Sequence, residues 1–515
     1  MPMNSVYAPG NTRAREDLRQ ASTALVYLSL LSALLLATYW PSWTITPYAD
    51  DFLLLIAVEA GIGGGAYAGQ FMFRPLELLV LQLSYALTDG PGLARAISFV
   101  AFLASIALVF RLAMQIAPQL PALPFVATAV FACHPVNVAT VAQIDTVSQD
   151  LATLTVLGAF AWYLLGPRHR PALYHGAGAA LIVLALLSKE VVVGAMFALP
   201  VAVAMVDLWA RSQPWPTVAR RALAIGGVVL ALFLIYLGLR GLAGAVLLVE
   251  EDYHRYTFAS GPLNTLKNVV LLLGSAAWLG STLDVFLTGD PLRRALSALV
   301  SVAVNGLAVA GLLVTLRDFR QGLVERRSLV MIGAVALMLL ASLFPVALTG
   351  WPSEVHSFLP VPFYALLVTF FALRGGAALA GCLRLSPRRA GALGLAALVL
   401  VGAWMLVGVR HKLDHAAAVS ARSEAFLEQI TAWYRTVDPA QGVRSGCVEE
   451  VAPPARVYSV YAMPSYALLQ PIADWLNHRM GPRLLLPVVP DTVEDCGVVI
   501  EVDGSSLRLH ESGTP

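Results

Sequence analysis

The chain has 515 residues, 58% of them apolar and only 13% charged, with a mean hydropathy of +0.72. Soluble globular proteins carry about a quarter charged residues, so a water-soluble enzyme of this length is excluded. A net charge of +2 gives no basic excess of the kind that nucleic-acid binding needs.

Arg13, Arg15 and Arg19 precede the first apolar run, Ala21 to Trp40. No small-residue cleavage site closes it, and Trp40 and Trp43 suit interfacial anchors, so it reads as a retained first span. Further apolar segments lie near 94–116, 122–138, 150–166, 172–188, 191–209, 221–240, 263–285, 295–316, 328–348, 358–374 and 391–409. If all crossed, Arg317, Arg320, Arg326 and Arg327, and later Arg374, Arg384, Arg388 and Arg389, would fall outside. Short cytoplasmic loops carry the basic excess, so one segment does not cross. Segment 263–285 holds Asn264, Lys267, Asn268 and Asp284 and suits an interfacial or re-entrant helix.

The sequence therefore predicts an α-helical polytopic membrane protein of about 11 spans plus interfacial or re-entrant helices, with a small C-terminal α/β soluble domain. Residues 1–20 are expected in the cytoplasm, 21–410 in the membrane domain and 411–515 outside. In the tail, 416–435 and 465–480 have helical periodicity, Val457 to Tyr461 alternates like a strand, and 497–509 reads as a hairpin turning at Asp503-Gly504. Cys447 and Cys496 form an even pair in this exported segment and are a disulfide candidate. Cys133 and Cys382 sit in or beside apolar spans, and no C-x-x-C zinc spacing occurs.

Ionisable residues are costly at membrane depth, so the places where they gather carry the functional signal. They gather at the predicted outer ends. Pro47-Tyr48-Ala49-Asp50-Asp51 follows the first span. Two adjacent carboxylates there suit a general base or a divalent cation, and equally an N-cap. Next comes Phe73-Arg74-Pro75-Leu76, whose arginine suits bidentate phosphate binding or snorkelling to lipid headgroups. Cys133-His134-Pro135-Val136-Asn137 leads on to Asp145 and Asp150; a lone His at a helix end is more often structural. Ser188-Lys189-Glu190 is either a neutralised pair or a cation poised for an anionic ligand. Glu250, Glu251, Asp252, His254 and Arg255, then Trp351-Pro352-Ser353-Glu354-Val355-His356, complete the set.

Five short motifs in this order resemble the GT-C superfamily of membrane glycosyltransferases. They are Asp50-Asp51, Phe73 to Leu76, His134-Pro135-Val136, Ser188-Lys189-Glu190, and Glu354 to Phe358 before Leu359-Pro360. The pattern is most similar to O-mannosyltransferases with transmembrane and tetratricopeptide regions, and to their bacterial relatives, over about residues 20–375. The chain lacks the tetratricopeptide repeats, has Ser148-Gln149-Asp150 where the family shows an Arg-x-Asp, and has His356 in place of an aromatic.

The resemblance implies inverting transfer of a sugar from a polyprenyl-phosphate donor to an acceptor hydroxyl on the extracytoplasmic face of the bacterial inner membrane. Asp50 or Asp51 would be the base, and Arg74 and Lys189 would hold the donor phosphate. His134, Asp150, Glu190, Arg255, Lys267, Glu354 and His356 would bind or orient sugar or acceptor. The acceptor is a glycan, a lipid or a protein. No metal or other cofactor is expected; a divalent cation at Asp50 and Asp51 is compatible with the residues but not required. Two other readings remain at this point. A lipid-linked glycan ligase or polymerase would use the same carrier. A secondary transporter would instead place polar residues near span centres and show two similar halves.

Overall fold

The structure is a computed structural model that describes residues 10–48, 51–60, 73–243, 261–286, 290–348, 354–437, 442–450, 465–486, 497–503 and 505–511. Asp50, Arg255, Cys496 and the strand expected over Val457–Tyr461 lie outside the described residues.

The helices, in chain order, are α1 (Gly10–Tyr39), α2 (Asp51–Ala60), α3 (Pro75–Thr88), α4 (Gly92–Ile116), α5 (Leu123–Ala132), α6 (Asn137–Ala142), α7 (Val147–Leu165) and α8 (Pro171–Ser188). They continue with α9 (Val193–Met205), α10 (Trp215–Leu242), α11 (Pro262–Ala277), α12 (Leu283–Phe286), α13 (Pro291–Arg320), α14 (Arg326–Ala347), α15 (Val361–Cys382), α16 (Pro387–Thr436) and α17 (Ser465–Met480). Among the described residues nine helical segments are long and apolar enough to cross a membrane, including Ala21–Thr44 and Glu190–Ala210.

That number differs from the eleven expected at two segments. The run 122–138 is broken at Cys133-His134-Pro135 into the short helices α5 and α6, because Pro135 has no N–H to continue the helical ladder. The run 150–166 forms α7, a 19-residue helix whose first turn carries Ser148, Gln149 and Asp150, buried along most of its length between α4 and α8. The segment expected not to cross forms α11, 16 residues long, with Leu263, Leu266 and Val270 exposed and Asn268 and Leu272 buried.

The predicted span 391–409 and the predicted tail helix 416–435 are one helix, α16, 50 residues long. No Pro or Gly interrupts it between Gly408 and Thr436. At Gly408 it crosses the α5–α6 turn so closely that a Cβ would sit 2.9 Å from Pro135 Cγ and 3.0 Å from Ser281 N.

Beyond it lies a four-stranded sheet in the order β2-β1-β3-β4, formed by β1 (Arg444–Glu450), β2 (Leu484–Leu485), β3 (Val498–Asp503) and β4 (Ser506–Glu511). β1 runs parallel to β2 and β3, and β3 and β4 form the expected hairpin with Asp503 opposite Ser506. Cys447 on β1 is disulfide-bonded, whereas Cys133 and Cys382 are free thiols.

Candidate active site

Three contacts fix the backbone leading into α2. Arg95, in the first turn of α4, donates from Nη1 to Trp43 O at 2.8 Å and from Nη2 to Ile45 O. Ser420 of α16 accepts from Thr46 N at 2.9 Å and donates to Thr46 O at 3.1 Å. Asp51 bridges the third: its Oδ2 accepts from Tyr48 N at 3.1 Å and its Oδ1 from Asp145 N at 3.0 Å. The second of two expected acids is thus a brace at the start of a helix, the position where a carboxylate satisfies backbone N–H groups. Arg95 was not singled out in the sequence, where it reads as the basic flank of a span.

The cationic group forms where α3 begins and α8 ends. Pro75 fixes the first helical residue and forces Arg74 out of helical backbone, at φ −129° and ψ 64°. Its guanidinium is chelated by Glu190, with Nε to Oε2 at 3.1 Å and Nη2 to Oε1 at 2.7 Å, and its Nη1 lies 3.7 Å from Glu77. Glu190, expected to orient sugar, is therefore the counterion of Arg74.

Lys189 is in extended backbone in the turn between α8 and the next span. It is 4% exposed, and its ammonium makes no hydrogen bond or ion pair among the described residues. Burial, and after it the Arg74 cation, pulls this ammonium down to about 8. Asp145 links the two groups, since its N–H bonds Asp51 and its carboxylate acts electrostatically on Lys189.

The remaining candidates divide. Asp150 is fully buried one turn into α7; Ser98 donates to its Oδ2, while Oδ1 has no hydrogen-bond partner. Around α6 and α7 the side chains of Gln149, Thr153, Thr140 and Asn137 also keep buried polar atoms without partners. Native proteins leave few such groups together, so this is a polar cluster rather than ordinary apolar core.

His134 does not offer a ligand atom. Its Nδ1 accepts from Val136 N at 3.2 Å, which puts the proton on Nε2, facing Ala276 O at 2.9 Å. It pins α11 to the α5–α6 turn in place of the expected contact with sugar. Lys267 is exposed on α11. Glu354 begins a 3₁₀ turn, Glu354–Ser357, in which His356 is half-buried. Among the described residues no three His, Cys, Asp or Glu side chains converge as metal ligands.

The fold is that of an α-helical polytopic membrane protein, GT-C-like, with a small C-terminal sheet domain. Among solved structures, the chain is similar to ArnT from Cupriavidus metallidurans bound to undecaprenyl phosphate, with 14% identity, a TM-score of 0.50 and 90% of each chain covered. At that identity the likeness is one of fold. No family model and no curated protein sequence matches the chain.

Proposed function

We propose that the chain is an inverting glycosyltransferase that takes a sugar from a polyprenyl-phosphate donor and passes it to an acceptor hydroxyl. The observation that carries this reading is Lys189, a buried ammonium with no ion pair among the described residues, beside the Arg74–Glu190 pair. Leaving a charge buried and unpaired is costly, so the site is suited to an anion that arrives with the substrate. The similar fold of a structure solved with undecaprenyl phosphate supports a polyprenyl phosphate as that anion.

In the proposed step the acceptor oxygen forms a bond to the anomeric carbon as the bond to the donor phosphate breaks. The acceptor proton passes to a carboxylate, and the leaving phosphate takes up the bonding pair. Lys189, with Arg74 behind it, stabilises that developing charge. Asp51 already braces two backbone N–H groups, so Asp50 is proposed as the base. Asp150 and the polar side chains around it would meet sugar hydroxyls, and His356 and Glu354 the acceptor side. The reaction face is proposed to be extracytoplasmic in a bacterial inner membrane, with the C-terminal domain on that face. A fusion reporter at Gly513 reads its orientation, and a cytoplasmic signal would reverse the assignment.

Native mass spectrometry of the detergent-purified protein tests the donor class. Retention of undecaprenyl phosphate by the parent, and its loss in Lys189→Ala, is the expected result. A parent that fails to retain the lipid when it is supplied overturns the reading.

A further inference from the structure

At the far end of the span Glu190–Ala210 from Lys189, about 30 Å away by helix rise, the buried carboxylate of Asp207 is held by three arginines. Arg168 Nη1 lies 2.8 Å and Arg211 Nη1 2.7 Å from Asp207 Oδ1, and Arg221 Nη1 bonds Oδ2. Each comes from a different place: Arg168 from the turn after α7, Arg211 from the end of the span, and Arg221 from α10. Arg211 Nη2 also donates to Leu164 O at 2.6 Å and Arg168 Nη2 to Tyr163 O at 3.4 Å, closing the last turn of α7.

The cluster holds more charge than a helix tie requires. One carboxylate offsets one of three cations and leaves a net charge of +2 (three Arg against one Asp). The bonds above engage five N–H groups of the about fifteen that three guanidinium groups carry. Asp207 is 1% exposed, whereas the arginine side chains keep 24%, 31% and 20% of their surface and remain open to a further acceptor.

The depth is set by aromatic residues. Trp209 and Trp215 are exposed on either side of Arg211 in the chain, as residues at the level of lipid headgroups are. Trp215, in the first turn of α10, is exposed together with Trp209, so apolar surface lies at the same level as the cations.

We propose that Arg168, Arg211 and Arg221 form a binding site for the phosphodiester headgroup of an anionic phospholipid. Asp207 is the strut that spaces the three guanidinium groups. This site does not rest on the reaction proposed above, and it lies at the opposite membrane face. Inorganic phosphate shares the headgroup's charge chemistry but lacks acyl chains for the exposed apolar surface at the level of Trp209 and Trp215.

The full chain in nanodiscs or detergent is offered cardiolipin, phosphatidylglycerol, phosphatidylcholine or inorganic phosphate, and adducts are counted by native mass spectrometry. Cardiolipin and phosphatidylglycerol should be retained over phosphatidylcholine, and inorganic phosphate should not displace them. Arg168→Gln and Arg221→Gln should each lower retention by about tenfold, whereas Arg220→Gln, an exposed neighbour outside the cluster, should not. Asp207→Asn leaves three cations without an offsetting charge and should raise retention; a cluster that only ties helices together predicts no rise. A parent without preference for anionic over zwitterionic lipid overturns the proposal whether or not any variant folds. Displacement of the lipid by inorganic phosphate would reassign the site to the soluble anion and overturn the headgroup.

Discussion

Lys189 is charged below about pH 8 and loses its proton above it, because burial and Arg74 both disfavour the ammonium. A bound phosphate favours the charged form. Affinity for undecaprenyl phosphate should therefore hold at neutral pH and fall as pH rises through about 8. In Lys189→Arg the fall should vanish, since a guanidinium stays charged, and a binding titration across that range checks both. The neighbouring carboxylates separate by a different measurement. Asp51→Asn puts an amide NH₂ against one of two backbone N–H donors and should cost about 1–3 kcal/mol of stability, read as a lower melting temperature. Asp50→Asn should melt like the parent, retain carrier lipid and lose turnover; normal turnover in it would remove the base assignment. Residue chemistry was legible where a side chain is scarce in membrane sequence, as with Lys189 and Arg74. It was not legible for Arg95 or His134, whose partners are backbone carbonyls about 50 and 140 residues away, respectively, in the chain.

The element that begins with Asp51 is held from the C-terminal domain. Trp475 of α17 packs on Phe52, with ring centroids 5.6 Å apart, and Arg479 and His478 meet Glu59 at 2.7 and 3.5 Å. The ion pair is largely exposed and contributes little by itself, so the aromatic contact carries the docking. Trp475→Ala should raise amide exchange over 51–60 while leaving undecaprenyl-phosphate binding intact, whereas Trp475→Phe should restore protection. Unchanged exchange in Trp475→Ala would show that α2 holds its position without α17. At the residue just before Trp475, burial pushes the Asp474 carboxyl up to about 6. The folded domain then keeps a proton that the unfolded chain releases, so its stability falls as pH climbs from the ordinary carboxylate range through about 6. Asp474→Asn should add about 1–2 kcal/mol at neutral pH and nothing in acid, measured by melting at both. Helices α8, α10 and α17 and the β3–β4 hairpin were readable because apolar period or turn residues specify them locally. The break at His134-Pro135 and the fusion of two predicted helices into α16 were not, because continuous hydropathy hides a proline turn and a change from apolar to polar sequence hides a continuous helix.

On the scale of the whole molecule, two charged centres lie at the two ends of one apolar helical segment, Glu190–Ala210: Lys189 with Arg74, and Asp207 with its three arginines. A count of basic residues per loop reads Arg168, Arg211 and Arg221 only as topological markers. It carries no information about which guanidinium groups converge on one carboxylate, since they come from separate turns.

The 50-residue α16 is about 75 Å long, and it is tied to the first loop through Ser420 and to β4 through Gln429. A rod fixed at several heights acts as a gauge of bilayer thickness. A thicker bilayer must straighten its tilt and a thinner one increase it, and either change pulls on the backbone that precedes the paired aspartates. Turnover should therefore peak at one acyl-chain length when the protein is reconstituted in phosphatidylcholine bilayers of graded thickness. Inserting two glycines at 437–438, beyond Ser420, should leave that peak in place, whereas the same insertion at 410–411 should flatten it.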